Sequence, residues 1–239
     1  MSIKRLFAVL LIFFSAVVCA DDAAIHAALE KAGMVKQIVA ISSSEYSGWQ
    51  QVWLRGGRIV YVADDGSYIF QGSLFENTEE GLVNLTAGRQ NMARAAELEQ
   101  LPPEAFITYR AENMKSYITV FTDVGCPYCQ KFHQQIAELT AKGVGVRYLP
   151  YPRRGLQSED YDALVAVWCA DDQVEALGRA KKGRRLRTAP CDTHPVDRSY
   201  ELGQLMGVLG TPTIFFADGS MNTGYMDAKS LFERLGIKE

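Results

Sequence analysis

Two cysteines separated by two residues constrain the fold of this chain of 239 residues more than any other feature. Residues 117–121 precede them and predict a buried strand, because they are mostly β-branched or aromatic and contain no breaker. After them, apolar residues recur at helical spacing through 130–141. The pattern therefore predicts that Cys126 lies at the N-terminus of a helix, directly after a strand, with Cys129 one turn further along.

The motif Cys126-Pro127-Tyr128-Cys129 has a chemistry that follows from this placement. The helix dipole and the free backbone N–H groups at a helix N-terminus stabilise a thiolate, so we expect a lowered pKa for Cys126. The thiolate is the form of cysteine that attacks disulfides. A structural disulfide and half of a zinc site are the alternative interpretations, but the order of strand, CxxC and helix favours a redox site.

The first twenty residues predict export. A basic start with Lys4 and Arg5 leads into an apolar run that ends in small residues, the pattern of a cleavable signal peptide at 1–20. The apolar run is shorter than a transmembrane helix requires. A lipoprotein signal with Cys19 as the lipid anchor is the alternative to the cleavable signal peptide. Cleavage leaves four of the five cysteines, an even number that suits an exported protein with disulfides.

Composition and charge argue against several functional classes. The formal net charge is −3, and the one basic run, at 181–187, has no interleaved aromatic residues, so we expect no nucleic-acid partner. No second apolar span follows the first, so we expect the mature protein to be soluble. Thiol chemistry requires no metal, nucleotide or flavin, and we therefore expect no cofactor.

The first part of the chain predicts a small β-rich domain. A short helix is followed by three strands that glycine-containing turns separate, at 23–31, 50–55, 58–63 and 67–71. A sheet of this size buries little core and leaves open edges, so it either pairs with a second copy or packs on the rest of its own chain. A polar helix at 86–101, stopped by two prolines, then predicts a rigid connector.

The second part of the chain alternates strand and helix. A parallel pair of strands joined by the CxxC helix is followed by a helical region at 158–185, a further helix at 195–206, an antiparallel hairpin at 213–225 and a closing helix. This order predicts an α/β sandwich. Thr211-Pro212 opens the hairpin, where a strand tolerates proline. A cis bond there would present the Thr211 backbone as a docking edge for an extended peptide. A plain turn is the alternative.

Four motifs, in order, resemble the DsbC/DsbG family of periplasmic disulfide isomerases: FTDVGCPYCQKFH, VRYLPYPRRG, WCADD and LGTPTIFFADG. The resemblance extends to the first domain, as in YVADDGSYIFQG. It implies an α+β N-terminal dimerisation domain at 21–84, a linker helix at 85–103 and an α/β thioredoxin-like catalytic domain with a helical insertion at 104–239. It also implies a homodimer, misfolded exported proteins as substrates, a membrane reductase of the DsbD type and a periplasmic location.

The resemblance also implies a role for each site residue. Cys126 corresponds to the attacking cysteine, exposed and of lowered pKa, and Cys129 to the more buried resolving cysteine. Thr211 and Pro212 correspond to the threonine and cis-proline that face the active site. Tyr128 is expected to be exposed and to contact substrate side chains. The family's DsbC branch usually has Gly-Tyr between its cysteines and the DsbG branch Pro-Tyr, so the redox potential does not follow from the resemblance.

Cys169 and Cys191 fall where the DsbC branch has a second disulfide. A structural bridge there would stabilise the fold by about 3 kcal/mol in the chain-entropy model. A second redox pair and a zinc site with His194 are the alternatives; neither cysteine belongs to a CxxC, and the spacing is irregular for zinc. We expect His133 on the helix surface and Asp123 as a local hydrogen-bonding residue.

The predicted activity is disulfide isomerisation. The Cys126 thiolate attacks a wrong disulfide, and the mixed disulfide is resolved either by a substrate cysteine or by Cys129. Four alternatives stay open: a net oxidase, a dedicated reductase, a holdase chaperone whose dimer cleft captures unfolded chains, and a DsbG-like reductase of oxidised single cysteines.

Overall fold

The computed structural model describes residues 22–238, so the predicted signal peptide at 1–20 lies outside the described residues. Within that range, none of the helices combines the length and the apolar character that a membrane crossing requires.

The N-terminal part is a four-stranded antiparallel sheet covered by one helix. The helix α1 spans Asp22–Lys31, and the strands in chain and sheet order are β1 Ile38–Ser43, β2 Trp49–Leu54, β3 Arg58–Ala63 and β4 Ile69–Gln71. Ile25 and Leu29 of α1 are fully buried against apolar residues of the sheet. The apolar spacing of α1 therefore orients one face of the helix onto the sheet.

A separate hairpin follows this sheet, formed by β5 Phe75–Thr78 and β6 Gly81–Asn84. The sequence pattern did not predict this hairpin or β1. Both contain polar residues and are largely exposed, so they lack the apolar alternation that marks a strand. A two-stranded hairpin is marginally stable alone.

A long helix, α2 Leu85–Glu99, connects the two parts, close to its predicted limits. The Asn84 side chain caps it by accepting a hydrogen bond from the Ala87 N–H at 2.9 Å. Leu98 near its C-terminal end is buried in a cluster of the second part of the chain, and the Arg94 guanidinium donates to the Met206 carbonyl at 3.2 Å. The connector is therefore packed against the domain that follows it.

The C-terminal part is built on a five-stranded mixed sheet. Its strands are β7 Ile107–Tyr109, β8 Ser116–Thr122, β9 Val144–Pro150, β10 Thr213–Phe216 and β11 Met221–Thr223, in the order β11-β10-β8-β9-β7. The predicted parallel pair, β8 with β9, and the predicted hairpin, β10 with β11, are confirmed. The strand β8 is central and largely buried, so its end is a rigid support for the CxxC loop.

The helix predicted across 130–141 is two helices, α3 Pro127–His133 and α4 Ile136–Ala141. Between them the Gln134 and Gln135 N–H groups bond to carbonyls only three residues back, which tightens the chain and interrupts the α-helical ladder. The Gln135 side chain donates to the Met226 carbonyl at 2.9 Å and holds this break against the C-terminal segment.

Three further helices form the insertion between β9 and β10, and one closes the chain: α5 Glu159–Trp168, α6 Gln173–Lys181, α7 Val196–Leu205 and α8 Ala228–Arg234. A disulfide joins Cys169, directly after α5, to Cys191, before α7, with the two Cα atoms 5.5 Å apart. It ties the long segment after α6 to the end of α5.

Candidate active site

Cys126 is the N-cap of α3, and Pro127 is the first residue of the helix. Proline favours that position because its missing N–H would have no partner there and its φ angle is already helical. The strand β8 ends at Thr122, so three residues carry the chain from the sheet to the thiol. Strand, loop and helix thus place Cys126 where the spacing predicts it.

Cys126 and Cys129 are free thiols that lie against the Thr211–Pro212 loop. The peptide bond between Thr211 and Pro212 is cis, and the Cys126 thiol donates to the Thr211 carbonyl at 3.1 Å. The expectation of an exposed Cys126 is wrong, because both cysteines are 1% exposed. The Thr211 carbonyl is therefore one of the groups that bury the Cys126 sulfur.

The pKa of Cys126 is lowered to about 5. The largest cause is a hydrogen bond from the Cys129 side chain, with smaller contributions from the Thr211 hydroxyl and from the backbone N–H groups of Cys129 and Tyr128; burial opposes them. The helix N-terminus named in the sequence prediction therefore contributes, but less than the neighbouring thiol. At neutral pH, Cys126 is a thiolate.

Cys129 has the opposite electrostatic character. Burial raises the pKa of the Cys129 thiol well above its usual range, and the hydrogen bond to Cys126 raises it further. The positive charge of Lys181 acts in the other direction. The pair thus holds one anionic and one protonated sulfur, the division that a nucleophile and a resolving thiol require.

The Thr211 hydroxyl oxygen is buried and lacks a direct hydrogen-bond partner within residues 22–238. Its position near the Cys126 sulfur nevertheless lowers the pKa of that thiol and so favours its anionic form. Pro212 is buried, and its carbonyl accepts from the Gly224 N–H at 2.8 Å, which ties the loop to the β10–β11 hairpin.

Asp123 holds the loop that leads into the CxxC. Its fully buried carboxylate accepts from the Gly125 N–H at 2.8 Å and the Arg153 N–H at 3.1 Å, and pairs with the Arg153 side chain at 3.4 Å. Burial raises the pKa of Asp123, opposed by these hydrogen bonds. The expectation of a local hydrogen-bonding residue agrees with this geometry.

A second carboxylate shapes the same loop and was missed in the sequence. Arg154 donates two hydrogen bonds to Asp160, at 2.7 and 3.0 Å, and an added Cβ on Gly125 would lie 2.2 Å from that carboxylate. A side chain before Cys126 would therefore force the Asp160 carboxylate to move. In the sequence, the acidic residues at the start of α5 predict a helix N-terminus. They do not predict that one of them contacts the active-site loop.

The prediction of a surface position for His133 is wrong. Its ring is partly buried, 5.5 Å edge-on from the ring of Tyr109, and its Nδ1 lies 3.3 Å from the Tyr148 hydroxyl. Burial lowers the pKa of His133 to about 4, assisted by the charges of Lys181 and Lys182. His133 is therefore neutral at pH 7 and supports the back of α3.

The basic run at 181–187 is only partly a solvated loop. Lys181 is 4% exposed and its Nζ lies beneath the CxxC loop, whereas Lys182 is exposed. The local sequence contains no signal for this burial, because the contacts of Lys181 come from residues 58 and 59 positions earlier in the chain.

Tyr128, between the two cysteines, and Leu209, two residues before Thr211, are 62% and 91% exposed. The expectation that Tyr128 is exposed agrees with the structure. A cleft of about 710 Å³ opens next to Gly125, between α5 and the segment after α6. Within residues 22–238, no cluster of His, Cys, Asp and Glu has the arrangement of a metal site.

Comparisons with known proteins agree with this geometry. A family model described as a thioredoxin-like domain matches residues 102–236, and one described as the disulfide bond isomerase protein N-terminal domain matches 16–87. The thiol:disulfide interchange protein DsbC of Salmonella typhimurium is 38% identical over 95% of this chain and 92% of its own length. DsbC of Haemophilus influenzae is 36% identical over 97% of both chains.

A solved structure shares the catalytic fold. The crystal structure of a disulfide interchange protein from Neisseria gonorrhoeae has a TM-score of 0.50 and 27% identity, over 57% of this chain and 96% of that chain. The predicted thioredoxin-like fold and the predicted class, a thiol:disulfide oxidoreductase, are confirmed. The chain therefore belongs to the DsbC family of thiol:disulfide interchange proteins.

Proposed function

We propose that this protein isomerises wrong disulfides in exported proteins of the periplasm, with Cys126 as the attacking thiolate. The observation that carries the proposal is the difference in pKa between the two thiols. The pKa of Cys126, beside a cis-proline loop, is lowered to about 5, while Cys129 stays protonated. A nucleophile that is already ionised at neutral pH needs no separate base.

The reaction is a sequence of thiol–disulfide exchanges. The Cys126 sulfur forms a bond to one sulfur of the wrong disulfide, the original S–S bond breaks, and the second substrate sulfur leaves as a thiolate. A substrate thiolate then attacks the neighbouring substrate sulfur and releases Cys126 as a thiolate. The lowered pKa of Cys126 assists this release, because sulfurs of lower pKa leave faster.

Ionisation of Cys126 prepares the substrate site. The thiol donates to the Thr211 carbonyl at 3.1 Å, but a thiolate has no proton to donate. The carbonyl then becomes available to an N–H group of an extended substrate, as in recognition by strand addition. Tyr128 and Leu209, both exposed, would contact apolar side chains next to the substrate cysteine.

The N-terminal part is proposed as the dimerisation domain at 21–84, followed by the linker at 85–103 and the catalytic domain at 104–239. Large apolar side chains are exposed on β4, on the residue before it and on the β5–β6 hairpin: Tyr68, Phe70, Phe75, Leu82 and Val83. A second copy would cover this surface and complete the small sheets. A signal peptide at 1–20 and a membrane reductase of the DsbD type complete the proposal.

Trapping of the mixed disulfide tests the proposal. A Cys129→Ser variant incubated with a scrambled multi-disulfide protein is expected to accumulate a covalent complex, because the resolving thiol is absent. Peptide mass spectrometry should identify Cys126 as the linked residue. Cys126→Ser, in which an equally buried thiol is replaced, is the matched control and should trap nothing. Equal trapping by the two variants would contradict the proposal.

A further inference from the structure

Lys181, the last residue of α6, is a buried cation next to the active-site cysteines. Only 4% of the residue is exposed, and its Nζ donates to the Thr122 hydroxyl and, at 3.0 Å, to the Asp123 carbonyl. These two acceptors are the end of β8 and the start of the CxxC loop. The insertion helix thus delivers an ammonium group beneath the catalytic motif.

This ammonium group lacks a carboxylate partner. Within residues 22–238, Lys181 forms no ion pair, and the nearby Asp123 carboxylate pairs with Arg153 instead. A buried ammonium without an opposite charge is costly, so a nearby anion would stabilise it. Burial lowers the pKa of Lys181, and the anionic forms of Cys129, Asp123 and Cys126 oppose this shift, in decreasing order of strength.

We propose that Lys181 is a positioning residue for the resolving step, in which its positive charge stabilises the Cys129 thiolate that attacks the mixed disulfide. This inference rests on the proposed function of the same site. In that step the Cys129 sulfur forms a bond to the Cys126 sulfur, and the bond from Cys126 to the substrate sulfur breaks. The proton of Cys129 passes through solvent to the departing substrate thiolate, so no external oxidant or reductant is needed.

The other groups around Lys181 cannot replace its charge. On α3, His133 is neutral at pH 7, and on β9 the Tyr148 ring lies 5.6 Å from Nζ and keeps its proton because burial raises the pKa of Tyr148. Directly after β8, the Asp123 side chain is a carboxyl group, which cannot carry a positive charge. Lys182 follows in the chain but is exposed to solvent. Among these groups, Lys181 is therefore the one that can place a buried positive charge near the Cys129 sulfur.

A two-phase reaction with a small aromatic disulfide isolates the resolving step. The first phase is attack by Cys126, which releases one coloured thiolate; the second is attack by Cys129 on the mixed disulfide, which releases another. Stopped-flow absorbance gives both rates against pH. Cys129→Ser should show the first phase alone and thereby assigns the second.

Lys181→Met and Lys181→Gln both remove the charge, and Gln keeps a hydrogen-bond donor. We expect the second phase at pH 7 to be about threefold to tenfold slower and its pH profile to be displaced upward by about one unit. A one-unit higher pKa lowers the thiolate fraction tenfold, while the more basic thiolate is a better nucleophile. The first phase should change little, because Cys126 remains ionised at pH 7.

Lys182→Met is the matched control, since it removes a charge from the exposed neighbour, and it should leave both phases unchanged. An unchanged second phase in both Lys181 variants would overturn the inference, as would an equal loss in the two phases, which indicates general structural damage. The small disulfide carries no polypeptide, so the result is independent of isomerase activity. Failure of the proposed function would appear instead as absence of trapping by Cys129→Ser.

Discussion

Between pH 7 and pH 4 the reduced protein is expected to lose about 3 kcal/mol of unfolding free energy relative to its Cys126→Ala variant. The pKa of Cys126 is about 5 in the folded protein, well below that of an unfolded thiol. A depressed folded pKa gives stabilisation that is complete above the unfolded pKa and is lost as the pH falls through about 5. Each pH unit between the two values contributes about 1.4 kcal/mol.

Urea denaturation of both proteins at several pH values, under reducing conditions, measures this difference. Groups such as Asp123 and His133 titrate in both proteins and largely cancel. Cys129→Ala should lose less unfolding free energy between pH 7 and pH 4 than the wild type, because the Cys129 side chain is the largest cause of the lowered Cys126 pKa. A difference between wild type and Cys126→Ala that is constant from pH 7 to pH 4 would contradict a folded-state thiolate.

Removal of residues 22–84 is expected to lower the rate of disulfide isomerisation at least about tenfold, while Cys126 still reacts with a small disulfide at the wild-type rate. Linked binding surfaces commonly gain orders of magnitude in effective affinity for a shared partner, and a monomer loses this gain. Analytical ultracentrifugation should show a monomer for the truncated protein and a dimer for the wild type.

A point substitution tests the same surface without truncation. Leu82 on β6 is 70% exposed, so Leu82→Glu should weaken the dimer and lower isomerisation. Met92 on α2 is 73% exposed but lies outside 21–84, which makes Met92→Glu the matched control. If Leu82→Glu stays as dimeric and as active as Met92→Glu, the dimerisation surface is elsewhere.

Local sequence patterns were sufficient to predict the position of the CxxC motif between a strand and a helix. The run 117–121 lies within β8, and the CxxC begins α3, because strand propensity and helix capping act over a few residues. The sequence leaves Thr211-Pro212 as either a cis bond or a plain turn, and the fold places it in the cis form against Cys126. The four motifs then extended these local features to a family.

The missed features depend on contacts between distant segments. Lys181 reads as one member of a basic loop, yet it is buried because Thr122 and Asp123 provide acceptors. His133 has the spacing of a surface position on an isolated helix, but Tyr109 and Tyr148 cover it. The exposure of Cys126 was misjudged for the same reason, since the Thr211 carbonyl, 85 residues away, lies on its sulfur.

Refolding of a scrambled multi-disulfide protein, followed by recovery of its native activity, tests the central claim most directly. Wild type should restore activity, Cys129→Ser should retain part of it through attack by substrate thiols, and Cys126→Ser should restore none. Recovery by Cys126→Ser equal to that of the wild type would contradict the account, because the reshuffling would then not pass through the Cys126 thiolate.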